Sequence, residues 1–203
     1  MQKLLIATTN KGKLGEITAL LAELPLTLVS LTDVGIQDDV EETGNTFLEN
    51  SLIKAHFYAK KSNMPAISDD GGLMINALGG APGVKSRRWL GYSASDEELI
   101  EHMLKIASQL PDDNRTAYFK TVISFALPDG QAWSKSGSVK GIIAKKPFLK
   151  KVTGLPYRSF FFLPQVNKFY FETELTKKEQ KRFNHRYKAI EKLKPILKQE
   201  LYI

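Results

Sequence analysis

The sequence predicts one α/β domain, residues 1–203, and three observations predict it. The chain has 203 residues, 42% of them hydrophobic and 10% aromatic, enough for one well-buried core and too few for two average domains. Short apolar runs alternate with segments whose apolar residues recur at helical spacing, the pattern of strands and helices mixed in one unit. No internal repeat and no low-complexity linker interrupts that alternation. With 25% charged residues, 14 Gly and 9 Pro, the composition is neither disordered nor fibrous. The absence of cysteine excludes a disulfide framework, a thiolate metal site and a cysteine nucleophile.

The first strand is Lys3 to Ala7, and Leu14, Ile17, Leu20 and Leu21 continue it as a helix. Between them lies the polar turn Thr8-Thr9-Asn10-Lys11-Gly12. Hydroxyls, an amide, backbone N–H groups and a helix start make this turn a candidate anion seat, although an ordinary strand-to-helix connection has the same composition. Leu26 to Leu31 and Val34 to Ile36 read as strand and turn. Asp38, Asp39, Glu41 and Glu42 then place four carboxylates in five residues. Thr46 and Glu49 form a capping box that opens a helix over Phe47, Leu52, Ala55 and Ala59. On it Asn50 and Lys54 share one face, which can look back at the acidic loop.

Ala66-Ile67 reads as a short strand ending at Ser68-Asp69-Asp70-Gly71-Gly72. Paired carboxylates at a strand end suit a divalent cation, which takes a few hard oxygens and keeps waters; a plain Asp-Gly turn is the competing reading. Leu78 to Gly83 is a backbone-permissive loop, and Ser95 with Glu98 caps a helix over Leu99, Met103 and Ile106. Tyr118 to Leu127 and Ala132 to Ile143 read as a hairpin about Asp129-Gly130. Lys145 to Lys151 is a basic loop, and Phe160 to Leu163 a buried strand. Thr176 and Glu179 cap a last helix, traced by Phe183, Tyr187, Ile190, Leu193 and Leu197, with His185 and Arg186 in its second and third turns and Pro195 as a potential kink.

The net charge of +7 is uneven. Residues 1–139 hold 13 Lys/Arg against 17 Asp/Glu, and residues 140–203 hold 16 against 5. A lysine-rich solvated face and contact with a polyanion both accommodate that excess. No segment approaches the roughly 20 apolar residues of a membrane span, and the short run Leu4 to Ala7 is no signal sequence. The expectation is a cytoplasmic protein without membrane contact.

Three blocks resemble the inosine triphosphate pyrophosphatase family: Thr8-Thr9-Asn10-Lys11-Gly12-Lys13, then Glu41 to Asn50 running on to Lys54-Ala55, then Asp69-Asp70-Gly71-Gly72-Leu73 running on to Ala77 to Val84. The match is collinear over essentially the whole chain. The resemblance implies an elongated mixed β-sheet with flanking helices, two lobes around a central nucleotide cleft, and a homodimer. It implies Mg²⁺-dependent cleavage of non-canonical purine nucleoside triphosphates (ITP, dITP, XTP) to monophosphate and pyrophosphate. Position by position, Asn10 and Lys13 would hold phosphates within the Thr8 to Lys13 loop, and Lys54 would neutralise the triphosphate. Glu42 would help bind Mg²⁺, and Asp70 would be both metal ligand and general base. Glu41 and Asp69 are the adjacent acids that could share the metal role. The chemistry wants such a set, because lysines and a cation offset charge on the leaving pyrophosphate while a carboxylate activates water.

The later segments depart from the family pattern. Gly71 stands where the family has Ser. The family's base-pocket segment, aromatic-Gly-aromatic-Asp-Pro, aligns with Leu155-Pro156-Tyr157-Arg158-Ser159, so an acid has become Arg158. Gln180 stands for the lysine before the pair His185-Arg186, with Lys181 adjacent. With Thr8 to Lys13, the residues Gly71, Leu155, Pro156, Tyr157, Arg158, Gln180, His185 and Arg186 are the substrate-binding residues the resemblance implies, Leu155 to Ser159 on the base side. Two further functions stay open: the same reaction with shifted base preference, and a catalytically weak relative binding nucleic acid or protein through its basic half. Phe160 to Phe162 reads as core rather than as a stacking platform, which argues against nucleic acid.

Overall fold

The computed structural model describes residues 2–148, 152–171 and 173–203, so the end of the basic loop expected over Lys145 to Lys151 lies outside the described residues. Among the described residues five α-helices, α1 (Lys11–Leu21), α2 (Phe47–Ser62), α3 (Asp96–Gln109), α4 (Lys177–Phe183) and α5 (His185–Glu200), accompany seven strands. The strands are β1 (Gln2–Ile6), β2 (Leu26–Ser30), β3 (Ala66–Ile75), β4 (Thr116–Ala126), β5 (Ala132–Ile143), β6 (Phe161–Leu163) and β7 (Lys168–Phe169). They form a sheet in the order β2-β1-β3-β4-β5-β6-β7. It is mixed, since β1 pairs in parallel with β2 and β3, whereas β6 is antiparallel to β5 and β7. The α/β class expected from the sequence is thus observed.

The chain divides into two compact units, one made of the described residues up to Asp70 with Thr121–Gly137 and Arg186–Ile203, the other of those in Gly71–Lys120 and Ser138–His185. In the first, β1 is apolar on both faces because both are covered. Leu4 and Ile6 pack with Ile17 and Leu21 of α1 and Ile190, Leu193 and Leu197 of α5, while Leu5 and Ala7 pack with Ala55, Tyr58 and Ala59 of α2. A strand alternates its side chains, so a continuous apolar run is what two covered faces require. In the second unit Leu99, Met103 and Ala107, spaced four apart on α3, join Phe119, Val139, Phe160 and Phe161. Among the described residues no helix is long and apolar enough to cross a membrane.

All three capping boxes form: in each, the hydroxyl of Thr46, Ser95 or Thr176 accepts from the backbone of a glutamate three residues on, whose carboxylate accepts in return. The hairpin turn forms as expected, with Gly130 at φ 96° and the Leu127 N–H donating to the Gln131 carbonyl. Three expectations are corrected. β3 does not stop before Asp69 but runs ten residues through Asp69-Asp70-Gly71-Gly72. The expected last helix is two helices: Asn184 takes extended backbone between α4 and α5, so His185 and Arg186 open α5. Pro195 lies inside α5, which continues to Glu200. Phe160 ends a 3₁₀ turn over Pro156–Phe160, and the strand begins at Phe161.

Candidate active site

Asn10 closes the turn between β1 and α1. Its backbone is extended and its side-chain oxygen accepts from the Lys13 N–H at 3.0 Å, capping α1. Thr8 Oγ1 accepts from the Asn10 N–H at 3.2 Å. Thr9 and Lys11 are exposed, and Gly12 is half-buried. The cap orients the first turn so that Lys13 Nζ lies 2.9 Å from Asp69 Oδ2.

The acidic loop is folded back onto α2. The Gly44 N–H donates to Asn50 Oδ1 at 2.8 Å. A Cβ on Gly44 would stand 2.5 Å from Glu49 Cβ and 2.7 Å from Asn50 Oδ1, so only glycine permits this approach. Ser51 Oγ meets Ser124 Oγ at 2.6 Å, and Ser68 Oγ donates to the Ser51 carbonyl at 2.5 Å, tying α2 to β3 and β4. One turn further, Lys54 projects its ammonium to Glu42 Oε1 at 2.6 Å, Asp70 Oδ1 at 3.1 Å and the Asp69 carbonyl at 3.0 Å. The face shared by Asn50 and Lys54 thus does meet the acidic loop.

The two paired acids separate by environment. Asp69 has a fully buried carboxylate that accepts from Thr121 Oγ1 and pairs with Lys13 and with Arg186 Nη2 at 3.1 Å. Burial alone would raise its pKa, but Arg186, Lys13 and Thr121 together hold it far below the ordinary carboxylate range. Arg186 is buried too, and its Nη1 reaches Glu16 Oε2 at 3.0 Å. Asp69 therefore anchors cations in this structure. Asp70 is the opposite case: burial pushes its carboxyl above the usual range against the pull of Lys54 and Lys13. Asp70 Oδ2 is buried and without a hydrogen-bond partner. For Lys54, burial would lower the pKa, but Asp70, Glu42 and Asp69 outweigh it and the ammonium is stabilised. Glu41 is exposed, whereas the Glu42 side chain is 24% exposed and engaged by Lys54.

These residues fit a divalent cation. The Lys54 ammonium already holds one carboxylate oxygen each from Glu42 and Asp70, so the two acids converge on a position where a cation is stable. Among the described residues no group of three or more His, Asp or Glu converges. Two carboxylates with water and substrate oxygens suit Mg²⁺, which seldom uses an all-protein cage.

The remaining residues expected to bind substrate, Arg186 excepted, lie in the second unit. Gly71 is half-buried within β3. Leu155 caps the 3₁₀ turn with Pro156 at its start, and Tyr157 OH donates to the Ser86 carbonyl. Arg158 is only 6% exposed, and its guanidinium lies 4.6 Å from the centre of the Tyr170 ring. His185 Nδ1 is 2.8 Å from Tyr170 OH, and its ring stacks on Phe119 at 5.4 Å. Gln180 Nε2 donates to the Leu175 carbonyl at 3.1 Å, and Lys181 is exposed. Thr121, Glu16, Tyr170 and Phe119 escaped the sequence reading. No local pattern marks them, since each acts on a partner distant in sequence, as Thr121 does on Asp69.

The model of the Ham1 family matches residues 4–196. The dITP/XTP pyrophosphatase of Escherichia coli (strain K12) is 38% identical over 200 residues, 98% of this chain and 99% of that protein. That of Yersinia pestis is 38% identical over 192 residues, 94% and 95% respectively. The solved HAM1 protein from Coxiella burnetii superposes with a TM-score of 0.81 at 35% identity, covering 98% of this chain and all of the other. The nucleoside-triphosphatase, or dITP/XTP pyrophosphatase, of Mycobacterium abscessus does so with a TM-score of 0.71 at 35% identity, covering 95% and 98%. Agreement in sequence and fold over nearly the full length leaves one assignment: the chain belongs to the Ham1 family.

Proposed function

We propose that this chain is a nucleoside triphosphate pyrophosphatase that hydrolyses non-canonical purine nucleotides (ITP, dITP and XTP) to monophosphate and pyrophosphate, with Mg²⁺ as its cation and the whole chain acting as one functional domain. The observation that carries this reading is the convergence of Lys13 and Lys54 with Glu42 and Asp70, together with the unpartnered Asp70 Oδ2. The names of the curated relatives point to the same substrate class.

Lys13 and Lys54 bind the triphosphate and offset the charge that grows on the leaving pyrophosphate. Glu42 and Asp70 would hold the cation, which would supply polarisation of the phosphoryl oxygens. Asp70 Oδ2 accepts the proton of the attacking water. A carboxylate with a raised pKa is the better base, and its burial supplies that rise. Asp69 positions Lys13 rather than touching the cation, because its oxygens are committed to Lys13, Arg186 and Thr121. The proton transfers from water to a carboxylate, so no covalent enzyme intermediate is required.

The test is pyrophosphate release from ITP, dITP, XTP, GTP and ATP, with MgCl₂ and with EDTA. Preferential turnover of the first three, lost with EDTA, is the expected result. A shifted base preference is the second reading, favoured by the buried Arg158 guanidinium. A planar five-donor group can meet the O6 and N7 acceptors that inosine, xanthosine and guanosine share.

A further inference from the structure

We infer that Lys54 is an exchangeable internal cation: its ammonium occupies the carboxylate pair before the divalent cation arrives, and the arriving cation releases it toward the triphosphate. This rests on the reading of Glu42 and Asp70 as the cation's ligands, and it concerns the order in which that site fills.

Lys54 Nζ is 2.6 Å from Glu42 Oε1 and 3.1 Å from Asp70 Oδ1, in direct contact with both carboxylates. Its side chain is 12% exposed and that of Asp70 8%, so the charges meet with little screening by water. A divalent cation bridging the same two oxygens would be brought against the ammonium where water screens little, and the two positive charges repel. On this reading the cation displaces the ammonium, and the released Lys54 needs another anion. A phosphate chain supplies one. Cation and triphosphate would thereby favour each other's binding through Lys54, and by linkage the effect is reciprocal. A lysine suits such exchange, being a point charge on a flexible stem.

The alternative is a fixed pillar: Lys54 holds Glu42 and Asp70 in place and the cation binds beside it. The two predict opposite results for Lys54→Met. Mn²⁺ binding without nucleotide, followed by electron paramagnetic resonance, should tighten by at least about tenfold if an internal competitor has been removed, equivalent to ~1.4 kcal/mol. Affinity unchanged or weakened would overturn the inference. Because removing a buried ammonium from two acids can impair folding, the wild-type protein provides a second measurement. Acetylation of Lys54 by an amine-reactive ester, read by peptide mass spectrometry, should rise severalfold on adding MgCl₂ against NaCl of matched ionic strength. Labelling that stays level or falls would equally overturn it. Neither measurement uses turnover, so a chain inactive on ITP with tightened Mn²⁺ binding would refute the proposed function and leave the exchange intact.

Discussion

Replacing Asp69 by Asn tests the division of labour between the paired acids. The substitution preserves shape and removes one charge that is fully buried and faces Lys13 at 2.9 Å and Arg186 at 3.1 Å. Arg186 keeps Glu16, but the Lys13 ammonium loses its carboxylate partner. Removing one partner of a buried pair costs about 3–5 kcal/mol. At roughly 2–4 °C per kcal/mol for a chain of this size, the melting temperature should fall by about 10 °C at neutral pH. Differential scanning fluorimetry reads this directly. The pH dependence has a definite sign. The folded-state pKa of Asp69 is depressed, so its stabilisation is complete above the unfolded value of about 3.9 and is lost as pH falls through the folded value. Asn has no such titration, so the gap between wild type and variant should narrow as pH falls below about 3.9. A fall under about 2 °C at pH 7, or a gap that persists undiminished in acid, would refute the assignment of Asp69 as a buried anchor.

Three further outcomes follow from the same geometry. Lys13→Ala should raise KM for ITP and lower kcat in steady-state assays, since phosphates are present in both ground and transition states. Gly44→Ala should weaken Mn²⁺ binding in a calorimetric titration, because its Cβ would collide with Glu49 and Asn50 and push the Glu42 loop off α2. Arg158→Asp should change the kcat/KM ratio of ITP over GTP; a ratio within about twofold of wild type, ~0.4 kcal/mol, would show that Arg158 does not read the base.

Local signals were legible and compensated ones were not. Thr46, Ser95 and Thr176 announced helix starts because a capping box closes within four residues. Asp69-Asp70-Gly71-Gly72 reads locally as a turn, yet it is strand, because Lys13, Arg186 and Thr121 compensate the buried Asp69 carboxylate from distant parts of the chain. Gly72 is likewise unexplained until Ser86 is seen 2.0 Å from where its Cβ would be. The break at Asn184 was hidden by apolar spacing that continues from Phe183 to Tyr187. The family resemblance proposes a triphosphate role for Lys54, but its place between Glu42 and Asp70 required the folded acidic loop.

The most direct measurement is single-turnover hydrolysis of ITP by the wild type and by Asp70→Asn, with MgCl₂ present and both products resolved. Wild type should give inosine monophosphate and pyrophosphate in equal amounts, and the variant should do so at least about a hundredfold more slowly, the usual contribution of a general base. Inosine diphosphate and phosphate as the products would contradict the pyrophosphatase reaction, and undiminished turnover in the variant would contradict water activation by Asp70.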